Sequence, residues 1–161
     1  MKHLKKLLTR PLANVSTRLV IGALIVALLG FADATYLTIE HYQGVIPPCT
    51  TSGCEVVLTS AFSTVAGIPV ALLGSIYYLL ICIGLFAYLD TRKTAILRTT
   101  MFIPCLGFVG SLWFTYLQAF VIKSYCQYCL VSAGISTLLT IVTVFIMIRY
   151  HDRPKSFNEN I

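Results

Sequence analysis

Leu19-Val-Ile-Gly-Ala-Leu-Ile-Val-Ala-Leu-Leu-Gly-Phe-Ala-Asp33-Ala-Thr-Tyr-Leu-Thr-Ile39 is an apolar stretch broken by one charge. Three more follow, at about Ile68 to Leu89, Thr100 to Ile122 and Leu130 to Ile148. Each is close to the roughly 20 residues that carry a helix across about 30 Å of hydrocarbon. Lipid offers no partner to open backbone groups, so such segments must be helices. The alternating segments of about ten residues that mark a membrane β-barrel are absent. The expected fold is all-α: an integral membrane four-helix bundle. Composition agrees, with 57% hydrophobic and 11% charged residues, where soluble domains carry about a quarter charged.

The net charge of +6 does not signal nucleic-acid binding, because no such motif accompanies it. Its distribution reads as membrane orientation. Lys2, Lys5, Lys6, Arg10 and Arg18 precede the first span; Arg92, Lys93 and Arg98 separate the second from the third; Arg149, Arg153 and Lys155 follow the fourth. The first connection has no Lys or Arg and the third has only Lys123. By the positive-inside rule both termini face the cytoplasm and the first and third connections face out. The expected organisation is a basic segment (1–18), a four-span domain (19–148) and a polar tail (149–161). Ala32-Asp33-Ala34 also fits a signal-peptide cleavage site. Against cleavage, the apolar character continues through Tyr36, Leu37 and Ile39 to full spanning length.

The first outer connection is rich in local signals. Pro47-Pro48 stiffens the approach to Cys49. Ser52-Gly53-Cys54-Glu55 has capping-box spacing, with Ser52 as N-cap. It predicts a surface helix from Cys54 toward Ala66, with Val57, Ala61 and Val65 on its apolar side and Gly67 as its stop. Pro69 is expected in the first turn of the second span.

Of six cysteines, Cys82 and Cys105 lie inside spans, where they are expected to be small buried hydrophobes. Cys49, Cys54, Cys126 and Cys129 all map to the outer face, where disulfides persist. Pairing Cys49 with Cys54 and Cys126 with Cys129 closes very short loops, and stabilisation by a cross-link falls as its loop shortens. Redox use therefore competes well against stapling. Cys126-Gln127-Tyr128-Cys129 leads into the fourth span, and Cys54 stands at the start of the loop helix. A thiol at a helix N-terminus is pushed toward thiolate, the attacking species in disulfide exchange. Four cysteines also suit a zinc centre, but these lie on the oxidising face and one pair abuts the bilayer, so no metal is expected.

Cys49-Thr-Thr-Ser-Gly-Cys54-Glu-Val-Val-Leu-Thr-Ser60, Gly67-Ile-Pro-Val-Ala-Leu-Leu-Gly74, Cys126-Gln-Tyr-Cys129 and Ala32-Asp33-Ala34-Thr35-Tyr36-Leu37 together resemble bacterial members of the vitamin K epoxide reductase family. The resemblance spans about residues 15 to 148 and implies a four-helix bundle around a quinone (ubiquinone, menaquinone or similar), with the loop helix as lid. It implies that Cys49 meets a reduced thioredoxin-like partner and that Cys54 passes electrons to Cys126. Cys129 would stand next to the quinone, with Ser60 near the active cysteines. Val70 and Ala133 replace the Asn and Tyr that line the vitamin K pocket of the animal enzymes, which favours plain quinone reduction over epoxide reduction. Many bacterial relatives carry a fused thioredoxin-like domain; none is read in this sequence, so the expected partner acts in trans. The implied setting is a bacterial inner membrane, and the implied product is disulfides for protein folding.

Further candidates for the quinone site are Asp33, an ionisable residue inside a span, and the aromatics Trp113, Phe114, Tyr116 and Phe120, which could equally be interface anchors. Tyr77 and Tyr78 carry the same ambiguity. His3 and His41 are expected in solvated loops, and Gly74, Gly84, Gly107 and Gly110 at close helix contacts. Two other readings stay open: a disulfide-stapled membrane scaffold without enzymatic activity, and an unrelated four-span quinone oxidoreductase.

Overall fold

The computed structural model describes residues 15–50 and 53–151. Helix α1 spans Thr17–Gln43, and the short α2 spans Gly53–Leu58. A 3₁₀ turn at Ala61–Ser63 leads to a two-stranded hairpin of β1 (Thr64–Val65) and β2 (Ile68–Pro69). Helix α3 covers Val70–Thr91, α4 covers Thr94–Tyr116 and continues as a π-turn at Leu117–Ile122, and α5 covers Gln127–His151. Four of these helices are long and apolar enough to cross a membrane. The N-terminal basic cluster before Val15, Ser52 and the tail beyond His151 lie outside the described residues.

The four long helices close a ring in which α1 packs on α3 and α5, and α4 packs on α3 and α5. The α1 face turned inward is Val20, Ala23, Ala27, Gly30, Ala34 and Leu37, a stripe at helical spacing made mostly of small residues. Without a hydrophobic drive between helices in lipid, close backbone approach supplies the packing. Gly30 makes room for the ring of Tyr78, and a Cβ there would lie 2.5 Å from that ring. Gly84 admits Thr100 and Gly107 admits Tyr77 in the same way. Gly74 meets only ordinary contact with Ala34, and Gly110 has no neighbour within 4 Å. Large apolar side chains point outward, Phe86 being 68% and Val109 65% exposed, the inside-out pattern of a lipid-facing surface.

The first connection differs from expectation. Its helix ends at Leu58, not near Ala66. Thr59 and Ser60 turn their hydroxyls back onto the helix, donating to the carbonyls of Glu55 and Val57 at 2.7 Å each. Ala61 and Val65, assigned to an apolar helix face, are exposed. Thr64 and Val65 pair instead with Pro69 and Ile68, across a turn in which Ala66 (φ 51°) and Gly67 (φ 80°) both have positive φ. Two positive φ values in a two-residue loop match the twist of a tight hairpin. Gly67 is thus a turn residue and not a helix stop. The third long helix begins at Thr94, ahead of its apolar run.

Candidate redox site

All four candidate cysteines gather at one end of the bundle, and each has a different address. Cys49 and Cys54 form a disulfide with Cα atoms 6.3 Å apart. Cys49 is half-buried, while Cys54 is 1% exposed. Below them, Cys126 is completely buried, in one apolar cluster with Cys54 and Val57. Cys126 and Cys129 are free thiols, and Cys129 opens onto a cavity between the helices. The route from surface to cavity therefore runs Cys49, Cys54, Cys126, Cys129.

Backbone and side-chain bonds hold this order. The two residues inside the C-x-x-C motif clasp the residues on either side of Cys49. Gln127 Oε1 accepts the Thr50 hydroxyl at 2.6 Å and the Thr50 N–H at 3.2 Å. The Tyr128 hydroxyl donates to the Pro48 carbonyl at 2.9 Å, and its ring meets that of Tyr36 at 5.7 Å. Gly53 lets α2 lie on the backbone of Tyr125, where a Cβ would come within 2.5 Å of the Tyr125 carbonyl oxygen.

The Cys126 thiol is pulled down from its ordinary range to about 7. The largest cause is a hydrogen bond from the Cys129 thiol; the backbone N–H groups of Cys129 and Tyr128 add to it, and burial and the Asp33 carboxylate oppose it. The Cys129 N–H lies 3.5 Å from Cys126 Sγ, the arrangement of a helix N-terminus stabilising an anion. A lowered pKa means that the anion fills in as pH rises through about 7. With the Cys49–Cys54 disulfide intact, ultraviolet thiolate absorbance from Cys126 should rise through that pH and be about nine-tenths complete by about pH 8. Cys129→Ala should move the midpoint up toward the ordinary thiol range.

The cavity encloses about 430 Å³, within the roughly 300–1,000 Å³ usual for small-molecule sites. Its wall is mainly apolar and includes Leu37, Val57, Phe62, Leu106 and Phe114. Polar groups make up the smaller part of its surface. Ser60 and Asp33 are both on the wall. Ser60 is the residue whose hydroxyl caps the end of α2. Asp33 Oδ2 is buried and has no hydrogen-bond partner among the described residues. Tyr77 and Tyr78 are on the wall too, their hydroxyls tied to Ser136 at 3.0 Å and to the Ser132 carbonyl at 2.7 Å. Val70 and Ala133 also face this space.

Trp113 and Tyr116 stand elsewhere. They are 58% and 50% exposed, stack on one another at 6.0 Å and lie outside the cavity lining. On α4 the lining residues are Leu106, Gly107, Gly110, Ser111, Phe114 and Thr115, so the stripe of Trp113, Tyr116 and Phe120 falls on the outward flank. His41, expected in a loop, sits in the last turn of α1 and reaches the cavity rim. Cys82 is buried in the core, and Cys105 is half-buried with its thiol toward the Met101 carbonyl.

One residue without a sequence signal is central here. Gln118, in the π-turn and 3% exposed, accepts the Cys126 N–H on Oε1 at 2.8 Å.

Residues 21–144 match the family model described as the vitamin K epoxide reductase family. No curated protein matches the sequence.

Proposed function

Because the chain belongs to the vitamin K epoxide reductase family, a family of membrane oxidoreductases acting on disulfides, we propose that it oxidises a thioredoxin-like partner and passes the electrons to a quinone. The observation that carries this reading is the placement of the four cysteines: Cys49 half-buried in the outer connection, Cys54 and Cys126 buried in one cluster, and Cys129 on the cavity wall.

A partner thiolate attacks Cys49, the reachable sulfur of the Cys49–Cys54 disulfide, and Cys54 leaves as thiolate. The partner's second thiol then displaces Cys49 and departs as a disulfide, leaving Cys49 and Cys54 reduced. Cys54 attacks Cys126 in an oxidised Cys126–Cys129 pair, and Cys129 is released as thiolate. Cys49 closes back onto Cys54 and frees Cys126. Two electrons have then moved from the partner to the Cys126/Cys129 dithiol, the state of the described structure. Each exchange trades one S–S bond for another.

The cavity fits a quinone: a mainly apolar wall suits a ring and its tail, and the unpartnered Asp33 carboxyl, once it carries a proton, can donate to a ring oxygen. When bound, the quinone supplies the sink for two electrons and two protons. Ser60 and Cys129 border its place. Re-forming the Cys126–Cys129 disulfide releases two protons from the dithiol, and Asp33 takes up and hands on a proton inside the wall, a role supported by its unpartnered Oδ2. Asp33→Asn should lower quinone turnover by about 10²-fold, while exchange between the cysteine pairs persists.

Arg18, Arg92, Lys93, Arg98 and Arg149 lie at or near the helix ends opposite the cysteines, which supports a cysteine end facing out of a bacterial inner membrane. The test is anaerobic quinone reduction by the detergent-solubilised protein, driven by a reduced thioredoxin-like protein. Consumption of quinone matched by oxidation of that protein is the expected result. Folded protein with no quinone consumption would favour the stapled scaffold.

A further inference from the structure

The connection between the third and fourth spans is four residues long, Lys123-Ser-Tyr-Cys126, and it is organised by one side chain. The π-turn at Leu117–Ile122 widens the end of its helix and turns Gln118 inward. The Gln118 backbone carbonyl accepts the N–H of Lys123 and, at 3.1 Å, that of Ser124. Its side chain then reaches past these bonds to take the Cys126 N–H at 2.8 Å. A residue eight positions earlier thus fixes the backbone from which the Cys126 thiol projects. Lys123 supplies the left-handed reversal that makes this reach possible, with φ 56°.

The side-chain bond has no evident purpose in holding the bundle together. The long helices pack through α1–α3, α4–α5, α3–α4 and α1–α5 contacts, and Gln118 lies at the edge of these, on the cavity wall. What the bond does hold is the Cys126 backbone, in the cluster where Cys54 is also buried. A buried N–H that loses its acceptor seeks another or moves, and either change displaces the thiol. Reactions between positioned groups are steep in distance, and a 1 Å misplacement can cost about 10²-fold.

We propose that Gln118 is a positioning residue for disulfide exchange: its carboxamide oxygen anchors Cys126 so that its sulfur faces Cys54. The inference rests on the relay reading above, in which Cys54 and Cys126 exchange.

The test measures geometry and not turnover. In a Cys49→Ser, Cys129→Ser protein, Cys54 and Cys126 are left to pair with each other, and equilibration against a glutathione redox buffer gives their effective concentration by peptide mapping. Gln118→Met keeps the volume and both backbone bonds but removes the acceptor, and it should lower that effective concentration by at least about tenfold. Gln118→Glu gives up only the longer bond from Gln118 Nε2–H to the Phe114 carbonyl at 3.5 Å, keeps an oxygen at the same reach and should restore it to within roughly threefold of the parent. Should Gln118→Met fail to assemble, Gln118→Asn, one methylene too short, takes its place with the same expected loss.

Equal pairing in the parent and in Gln118→Met (or Gln118→Asn) overturns the role of Gln118 while the relay stands. Equal loss in Gln118→Met and Gln118→Glu also overturns it, since an acceptor is then not what matters. A parent protein that forms no Cys54–Cys126 bond at any buffer ratio removes the relay reading itself.

Discussion

Cys126→Ser is expected to abolish quinone reduction with either a protein or a small dithiol as donor, while the bundle stays assembled. Cys126 is the one cysteine that belongs to both halves of the route: it shares a buried cluster with Cys54 and a helix turn with Cys129. Serine is close in volume and can keep the Cys129 N–H as a donor, so packing should survive. What is lost is the sulfur that both exchanges require, and no other thiol occupies that position. Cys49→Ser should separate the halves. It should fail with a protein dithiol, which can reach only the half-buried outer sulfur, and still turn over with a small dithiol that enters further. A scaffold held by staples would consume no quinone in the parent or in either variant. There, Cys126→Ser would act on stability alone, by removing the staple to Cys129.

Gly53→Ala should slow transfer between the two cysteine pairs by about 10²-fold, although it adds only a methyl group and removes no sulfur. The new Cβ would lie 2.5 Å from the Tyr125 carbonyl oxygen and 2.8 Å from the Tyr125 nitrogen. Both are backbone atoms, so no side chain can swing aside. Gly53 precedes Cys54 and Tyr125 precedes Cys126, so the methyl acts as a wedge between the two backbones that carry the exchanging thiols. Single-turnover kinetics would locate the effect. Reduction of Cys49–Cys54 by the partner, and oxidation of a chemically reduced Cys126/Cys129 pair by quinone, should both remain near the parent rates. A defect in all three steps would point to general unfolding of the cysteine end.

The spans were legible because lipid imposes one rule, a run of apolar residues about 20 long, and each predicted run lies almost wholly within an observed helix or its π-turn; only Ile68 and Pro69 fall ahead of theirs, in β2. The cysteine constellation was legible because topology alone brings the first and third connections to one end. The lid was misread from a four-residue recurrence. Val57, Ala61 and Val65 suggested a long helix, yet hydroxyls at Thr59 and Ser60 satisfy its last carbonyls and end it. The side of each aromatic on α4 was not legible, because a span apolar all round gives no facing signal; Phe114 turned inward and Trp113 and Tyr116 outward. Gly53 carries no signal of its own within the capping-box pattern, yet its missing side chain is what lets α2 lie on Tyr125. Gln118 left no trace, since a π-turn has no sequence signature and a lone glutamine near a helix end reads as solvated.

The most direct test is the order in which disulfides change during one turnover. The oxidised wild-type protein would be mixed anaerobically with one equivalent of reduced thioredoxin-like protein, quenched with a thiol-blocking reagent over a time series, and mapped by mass spectrometry. The relay predicts loss of Cys49–Cys54, then transient appearance of Cys54–Cys126, then recovery of Cys49–Cys54 with Cys126 and Cys129 reduced. Reduction of Cys126–Cys129 while Cys49–Cys54 stays intact throughout, with no bond joining the two pairs, would contradict it.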